Sequence, residues 1–400
     1  MEERYHIEGK WWVSPGNFEE DVRKGMDLPP RVEIHDATLR DGEQTPGVVF
    51  RKEDKVRLAQ MMSEVGVDRI EAGMPAVSEE DFAAIKEIGK LNLRSRIYTF
   101  ARAVEGDIDK ALECGAHGVV IEIPIGYPKL KYQFGWTWED VLRKSEGCVN
   151  YARQRGLDVV YFPYDTTRAR PEDLENLLTR LMQNAPPHSV GVVDTMGCAL
   201  PETIKSLVRK VKKLTGLPVE IHTHNDFGMA VATEFAGMEA GASVLHSCIN
   251  GLGERTGNAA LEELMVGLRL LYGYEYPYKL ERLQDLAKLT AEISGVPLAP
   301  NKPVTGKRNY TRESGIGVDL VVKRPLAMFA TDPALFGREG DIVLGKKSGK
   351  TSVEYMLEKL GIDLPAELVP AVLERIKTRS IEKRGLLDEA EFVEICKAVR

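Results

Sequence analysis

Eight repeats of a strand-like run followed by a helix-like run constrain the fold of this chain more than any other feature. The strand-like runs are short, apolar and rich in β-branched residues, and they lie near 32–37, 69–74, 94–100, 118–125, 157–163, 190–194, 217–223 and 243–249. After the first run, apolar residues recur at helical spacing from Lys52 to Val65, and comparable segments follow the others. Strands that alternate with helices predict a parallel sheet, and eight such units predict an α/β fold, a closed (β/α)8 TIM barrel.

The residues on either side of the predicted barrel have a different character. We expect an N-terminal arm over residues 1–29 and the barrel over 30–290. A stretch rich in proline and glycine then opens a linker and small mixed subdomain over 291–346. A helical subdomain over 347–400 ends the chain. The sequence therefore predicts a TIM barrel followed by a smaller mixed subdomain and a helical C-terminal tail.

Composition excludes several classes of function. The chain has a formal net charge of -7, which argues against binding to nucleic acid or to an anionic membrane. No apolar run approaches the roughly 20 residues that a membrane span needs, and the N-terminus lacks the layout of a signal peptide. The five cysteines are scattered without a CxxC pair, which is typical of reduced thiols. We therefore expect a cytoplasmic protein.

A pair of histidines suggests a metal site at one end of the predicted barrel. His222 and His224 end the seventh apolar run, and residues two apart on a strand point to the same face. Asp41 follows the first run and sits beside Arg40, at the C-terminal strand ends where such barrels carry their chemistry. Two imidazoles and a carboxylate can bind a divalent cation. The alternative is an ordinary hydrogen-bonded pair of histidines, with Arg40 a simple ion-pair residue.

A second motif lies beyond the barrel. Residues 345–351, Gly-Lys-Lys-Ser-Gly-Lys-Thr, resemble a phosphate-binding loop, but three residues separate Gly345 from Gly349 where that loop needs four. We therefore interpret the segment as a basic loop that caps the helix after it. A position near a phosphate-bearing substrate is the functional alternative.

Four motifs together resemble one enzyme family. They are Thr38 to Val48, Ile70 to Pro75, His222 to Asp226 and Asn250 to Asn258. The chain is similar to the metal-dependent barrel superfamily of isopropylmalate, citramalate and homocitrate synthases, with the hydroxymethylglutaryl-CoA lyases as more distant relatives. Residues 313–316 and 343–346 resemble the region that follows the barrel in the synthases. Since the lyases lack that region, the resemblance favours the synthase branch.

The resemblance implies a reaction and a set of site residues. It implies condensation of an acyl-CoA, which is acetyl-CoA in the usual family reaction, with a 2-oxo acid to give a 2-hydroxy dicarboxylic or tricarboxylic acid and CoA. By matched position, the cation (Mg²⁺, Mn²⁺ or Zn²⁺) is expected at Asp41, His222, His224 and Asn258. Arg40 matches the arginine that polarises the oxo-acid carbonyl. Substrate contacts are expected from Arg40, Gln44, Thr195, Arg102 and Tyr164, and relatives suggest a homodimer.

The chain departs from the family pattern where acyl-CoA is normally deprotonated. Three histidines of the family are replaced by Arg312, Gly317 and Lys347, and a tyrosine by Met328. In the barrel, Gly126 stands for a serine that holds the oxo acid, and Tyr164 stands for a glutamate. The usual base is therefore missing, and Glu313 and Tyr310 are the candidates to replace it.

Two other functions stay open at this stage. A metal-dependent carbon–carbon lyase or aldolase would cleave a 3-hydroxy acid or its thioester without an added acyl acceptor. A non-catalytic binding protein would hold metal and oxo acid without releasing CoA. The intact set of Arg40, Asp41, His222 and His224 argues against the second alternative.

Overall fold

The computed structural model describes residues 4–400, which form two compact units. One unit contains residues 20–298. The other contains the described residues up to Glu19 together with 299–400. This division differs from the predicted boundaries at 29/30, 290/291 and 346/347, because the first part of the arm and both C-terminal segments cluster together.

A closed parallel barrel forms the unit of residues 20–298. Its strands are β1 Glu33–Asp36, β2 Arg69–Glu71, β3 Arg96–Arg102, β4 Gly118–Pro124, β5 Asp158–Tyr164, β6 Ser189–Asp194, β7 Val219–Thr223 and β8 Val244–Ser247. Each strand runs parallel to the next, and β8 closes the barrel on β1 with Val244 opposite Glu33. The predicted eight strands and TIM barrel are thus confirmed.

A helix follows each strand, and one further helix follows the last of these. The helices are α1 Lys52–Val65, α2 Glu79–Lys90, α3 Glu105–Glu113, α4 Trp138–Gln154, α5 Pro171–Asn184, α6 Pro201–Thr215, α7 Ala230–Glu239, α8 Leu261–Leu270 and α9 Leu283–Ser294. In α6, Ile204, Val208 and Val211 recur at helical spacing and are fully buried, each contributing about 1.5–3 kcal/mol through burial. Proline at the first position of α6 is tolerated because that N–H has no partner within the helix.

The inside of the barrel carries an apolar layer. Its buried members are Tyr98, Phe100, Val120, Val160, Phe162 and Val193. The centroids of the Phe162 ring and the His222 imidazole are 5.9 Å apart, so this layer adjoins the predicted metal ligands. Because strand residues two apart share a face, Glu122 on β4 points to the same interior as Val120, one step closer to the C-terminal strand ends.

The second unit is mixed and then helical. A hairpin pairs His6–Ile7 with Trp11–Trp12, and Thr311–Arg312 pairs in parallel with Asp341–Ile342. The helices are α10 Val318–Lys323, α11 Lys350–Lys359, α12 Val369–Lys383 and α13 Glu389–Val399. The last three pack around a buried core that includes Val353, Ile376 and Phe392. Among the described residues, no helix has both the length and the apolar character that crossing a bilayer requires.

Candidate metal and substrate site

Asp41, His222 and His224 meet at the C-terminal end of the barrel. Asp41 lies in the turn after β1, where its N–H donates to the carbonyl of Ala37 at 2.8 Å. Its Oδ2 lies 3.1 Å from His222 Nε2 and 3.6 Å from His224 Nε2. All three residues are at most 5% exposed. A cation about 2.0–2.2 Å from each ligand atom fits these spacings, since adjacent ligands of such an ion are about 3 to 3.6 Å apart.

Unpartnered oxygens support binding of a cation at this position. Asp41 Oδ1 and Asn258 Oδ1 are buried without a hydrogen-bond partner among the described residues. Asn258 pairs with His224 in a β-bridge and donates its Nδ2 to the Leu252 carbonyl at 3.1 Å, which leaves its oxygen free to accept. A buried acceptor without a partner costs about 1–3 kcal/mol, and a bound ion would remove that cost.

The charge states of the ligands also suit a metal. Burial alone would raise the pKa of Asp41, but the Arg40 guanidinium and the two imidazoles outweigh it and hold that pKa well below its usual range. Burial lowers the pKa of His222 and lowers that of His224 to about 4. At neutral pH the site therefore offers a carboxylate and two neutral imidazoles, the forms that bind metal.

Arg40 is held in a fixed position beside the metal ligands. Its Nη1 lies 3.4 Å from Asp41 Oδ2, and its Nε donates to the buried carboxylate of Glu71. The guanidinium also lies over the Phe100 ring, 4.4 Å from the centroid. These contacts aim the remaining N–H groups without any rearrangement, as stabilisation of a developing negative charge requires.

The other predicted substrate residues differ in their surroundings. Gln44 Oε1 lies 3.5 Å from Arg40 Nη1, at the edge of hydrogen-bonding distance. Thr195 Oγ1 accepts from the Asp165 N–H at 2.8 Å. Tyr164 packs against the apolar layer inside the barrel. Arg102 forms a two-point ion pair with Asp107, at 2.9 and 3.0 Å, and its side chain is 62% exposed.

Gly126 has a structural reason to lack a side chain. A Cβ built on Gly126 would lie 2.0 Å from Asp165 Oδ2. The Asp165 backbone is in the left-handed region at φ 61°, and Arg168 binds its carboxylate through bonds of 2.8 and 2.7 Å. The buried carboxylate of Asp165 thus fills the space next to the position of the family serine.

Glu122 is a site residue that the sequence reasoning missed. Burial raises its pKa to about 7, with Arg40 opposing the shift and Asp41 and Glu71 adding to it. Its negative charge in turn contributes to the raised pKa of the Tyr164 phenol. No hydrogen bond or ion pair of Glu122 is found among residues 4–400. The signal in the sequence is a lone acidic residue within the apolar run of β4.

A second buried cluster lies deeper in the barrel and was also missed. His246 Nε2 lies 2.9 Å from Glu220 Oε2, and Arg69 binds the other oxygen of Glu220 at 2.8 Å. The rings of His35 and His246 stack at 4.3 Å with an interplanar angle of 9°. Parallel stacked rings do not aim their lone pairs at one point, and Arg69 already neutralises the carboxylate. We therefore interpret the cluster as a charged layer of the core.

The two predicted bases, Tyr310 and Glu313, belong to the other unit. The Tyr310 hydroxyl pairs with Thr331 Oγ1 at 2.6 Å, and burial raises the pKa of this 5% exposed phenol. Glu313 accepts from the Lys347 N–H at 3.0 Å and pairs with the Lys347 ammonium at 3.5 Å. Both groups are engaged within their own unit.

Comparison with known proteins gives two family matches that cover most of the chain. Residues 31–290 match the HMGL-like family, and residues 304–384 match the homocitrate synthase post-HMGL domain-like family. Among solved structures, the HMG-CoA lyase of Bacillus subtilis covers 68% of this chain and 97% of its own, with a TM-score of 0.62 and 21% identity. That likeness bears on the fold alone.

Three relatives are similar along most of their length. Homocitrate synthase AksA of Methanopyrus kandleri is 40% identical over 380 residues, 95% of each chain. A probable 2-isopropylmalate synthase of Ignicoccus hospitalis is 40% identical over 88% of each chain. A putative (R)-citramalate synthase CimA of Archaeoglobus fulgidus is 40% identical over 87% of this chain and 71% of its own. The resemblance found in the motifs is confirmed, and the chain belongs to the HMGL-like family, in the branch that carries the homocitrate synthase post-barrel domain.

Proposed function

We propose that this protein catalyses a metal-dependent Claisen-type condensation of acetyl-CoA, or a close acyl-CoA, with a 2-oxo acid. The observation that carries the proposal is the convergence of Asp41, His222 and His224 beside Arg40. The relatives named as homocitrate, isopropylmalate and citramalate synthases support it. The match of residues 304–384 to the synthase domain favours condensation over the lyase alternative. A homodimer and a cytoplasmic location remain predictions.

The residues of the site are proposed to have different roles in the reaction. Asp41, His222, His224 and Asn258 would hold a divalent ion, which would supply Lewis acidity to the keto oxygen of the oxo acid. Arg40 donates to the same oxygen as negative charge develops there. Glu71 keeps the guanidinium aimed, because its carboxylate binds Arg40 Nε in a fully buried pair. Gln44, Thr195, Arg102 and Tyr164 are proposed to contact the rest of the oxo acid.

We assign the role of base to Glu122. The step removes a proton from the methyl group of the acetyl thioester, and the carbanion electrons form the new bond to the keto carbon. The keto oxygen then takes up a proton, and water hydrolyses the thioester to release CoA. The Glu122 carboxylate lies on the inner face of β4, has no partner among residues 4–400, and has a pKa raised to about 7 by burial, which suits the first proton transfer. Glu313 and Tyr310 remain the alternatives, and their engaged contacts weigh against them.

A thiol-release assay tests the function. Acetyl-CoA is offered with a panel of 2-oxo acids, with and without Mn²⁺ or Mg²⁺. We expect release of CoA only when thioester, oxo acid and metal are all present. His222→Ala abolishes it, whereas His188→Ala, at a half-exposed histidine near the other end of the barrel, leaves it unchanged.

Three outcomes would reject the proposal. Turnover that survives a chelator or the His222→Ala change excludes the metal mechanism. Cleavage of a 3-hydroxy acid or its thioester without an acyl acceptor identifies a lyase instead. Binding of metal and oxo acid without CoA release across the whole panel identifies a non-catalytic homologue.

A further inference from the structure

A basic cavity lies within the unit that contains residues 299–400. Its volume is about 670 Å³, in the range of roughly 300–1,000 Å³ typical of ligand sites. Four cationic side chains line it, those of Arg308, Lys346, Lys347 and Arg384, against the single carboxylate of Glu313. They come from three separate segments of the chain, so the fold brings together charges that the sequence keeps apart.

Three of these cations have no carboxylate partner in the part of the chain that the structure describes. Lys347 pairs with Glu313 at 3.5 Å, but no ion pair of Arg308, Lys346 or Arg384 is found among residues 4–400. The whole chain has a net charge of -7, yet residues 299–400 carry 18 Lys and Arg against 15 Asp and Glu. Positive charge is therefore concentrated on one wall of an otherwise acidic protein, as binding of an anion requires.

The backbone around the cavity is fixed by its own hydrogen bonds. The Lys346 N–H donates to Ser380 Oγ at 2.9 Å, and the Gly345 N–H donates to Ser348 Oγ at 2.9 Å. Arg384 occupies the left-handed region at φ 55°, at the end of α12, where glycine is the usual residue. Cations at a helix C-terminus are common, which accounts for Arg384 alone. Arg308 and Lys346 belong to other segments and need another explanation.

We propose that this cavity binds the phosphate-bearing phosphoadenosine end of the CoA thioester. The proposal rests on the proposed function, which requires an acyl-CoA. Arginine and lysine are the side chains that bind phosphate oxygens in proteins. Val343, Ile381 and Leu386 supply an apolar part of the wall, against which the adenine ring packs.

Direct binding to the full-length protein tests the cavity. Titration calorimetry measures the affinity for CoA, dephospho-CoA, adenosine 3′,5′-bisphosphate, ATP and inorganic phosphate. We expect Arg308→Gln and Lys346→Gln each to weaken CoA binding about 10-fold or more, the usual effect of losing a charged phosphate contact. Lys350→Gln removes the same charge outside the cavity, from a lysine near Glu354, and should change the affinity less than twofold.

Turnover kinetics provide a second measurement. In both cavity variants we expect the KM for acetyl-CoA to rise about 10-fold with kcat unchanged. The KM for acetyl-pantetheine, which lacks the phosphoadenosine end, should stay at the wild-type value. Because Arg308 and Lys346 are exposed, the folded state should tolerate both changes, and circular dichroism checks this.

Each result bears on the cavity or on the function separately. Unchanged CoA affinity in both variants overturns the cavity proposal while leaving the condensation intact. Tighter binding of ATP or inorganic phosphate than of CoA also overturns it and identifies a site for a free phosphate effector. Cavity-dependent CoA binding without CoA release from any substrate pair retains the cavity and rejects the condensation. A wild-type protein that does not bind CoA overturns both.

Discussion

Burial affects the acidic side chains at the mouth of the barrel in different ways. Asp41 and Glu71 are buried beside Arg40, and its charge outweighs the cost of burial, so their pKa values fall, that of Glu71 to about 2. Glu122 is half-buried and has no hydrogen-bonded partner in the described chain, and burial raises its pKa to about 7. The same low-dielectric surroundings thus keep two carboxylates charged and leave a third able to exchange a proton near neutral pH.

The base assignment predicts a specific loss of activity in Glu122→Gln. We expect kcat for condensation to fall about 10²- to 10⁴-fold with little change in the KM for the oxo acid, the usual effect of losing a general base. A base must be ionised, so wild-type activity should decline as pH falls through the pKa of Glu122, which burial raises and a bound cation would lower. The residual activity of the variant should lack this acid limb.

Matched variants separate this role from a structural one. Glu113→Gln changes an exposed glutamate at the end of α3 and should leave both kcat and the pH profile unchanged. Glu122→Asp keeps the carboxylate and should recover part of the lost rate. An unaltered acid limb in Glu122→Gln would return the role of base to Glu313 or Tyr310.

The metal assignment predicts the effect of Asp41→Asn on binding of Mn²⁺ itself. The amide supplies no negative charge to the two imidazoles that flank it at 3.1 and 3.6 Å. Loss of residues that merely support a ligand costs 10- to 100-fold in affinity, so loss of this ligand should cost about 100-fold or more. Calorimetric titration of the pure protein measures it, with Asp173→Asn on α5 as the control. Equal affinities for the two variants would contradict the assigned ligand set.

Among the elements, the loop after β4 carries one of the departures from the family pattern that the motifs imply, Gly126 in place of a serine. Gly126 has a φ of -55°, which any residue can adopt, so its backbone does not demand glycine. The demand comes from Asp165, whose side chain occupies the place of a Cβ. With the Asp165 side chain in this place, a serine in place of Gly126 would not fit without rearrangement.

This contact predicts that Gly126→Ala destabilises the protein. Crowding of a well-packed site typically costs about 1–3 kcal/mol in the free energy of unfolding, and Asp165 cannot retreat easily because Arg168 binds it at two points. Gly106→Ala is the control, because a Cβ there meets no atom within 4 Å. In α3 that change should stabilise by about 0.4–1 kcal/mol. Urea unfolding followed by circular dichroism measures both changes. Equal free energies of unfolding for Gly126→Ala and the wild type would show that the Asp165 side chain moves aside without cost.

Local signals explain which elements and residues the sequence could predict. The eight strands were predictable because apolar runs and helical periodicity are local, and α1 was predicted with the observed bounds of Lys52–Val65. His222 and His224 were predictable because residues two apart on a strand share a face, and Asp41 because parallel strands end together.

The features that the sequence did not predict depend on contacts between distant parts of the chain and on which face of the closed barrel a strand residue occupies. Glu122 looks like an isolated charge until register and alternation place it above Val120 on the inner face. The stacking of His35 on His246 joins the first strand to the eighth and has no local signature. The left-handed conformation of Asp165 depends on Arg168 and on the missing side chain of Gly126. The basic cavity likewise joins segments that are up to 76 positions apart, from Arg308 to Arg384.

At the scale of the whole molecule, the two units carry different proposed binding sites. The proposed metal ligands, Arg40 and Glu122 all belong to residues 20–298. The basic cavity and the two other candidate bases belong to the unit that includes 299–400. In this proposal the barrel recognises the oxo acid through a metal, and the other unit recognises the carrier of the acyl group through its phosphates. The two ligands should therefore leave separate footprints on the chain.

Hydrogen–deuterium exchange can detect these footprints in the intact protein. A ligand that binds only the native state stabilises it, by about 2.7 kcal/mol at 100 times its Kd, and slows exchange at the amides whose opening releases it. We expect Mn²⁺ to slow exchange around Asp41 and around His222 to Asn225, where the strand ends carry the ligands. CoA should slow it in residues 308–313, 343–347 and 380–386, which line the cavity.

Variants make each footprint specific. In Asp41→Asn, Mn²⁺ should no longer slow exchange, whereas CoA should still slow it in residues 308–313. In Lys346→Gln at moderate ligand concentration, CoA should no longer slow exchange in those residues, whereas Mn²⁺ should still slow it around Asp41. This follows because each variant alters one ligand's contacts and lies in a different compact unit. Protection by CoA confined to the barrel, and insensitive to Lys346→Gln, would show that the phosphates bind elsewhere. The basic cavity would then need another anionic ligand to account for Arg308, Lys346 and Arg384, which have no ion pair among residues 4–400.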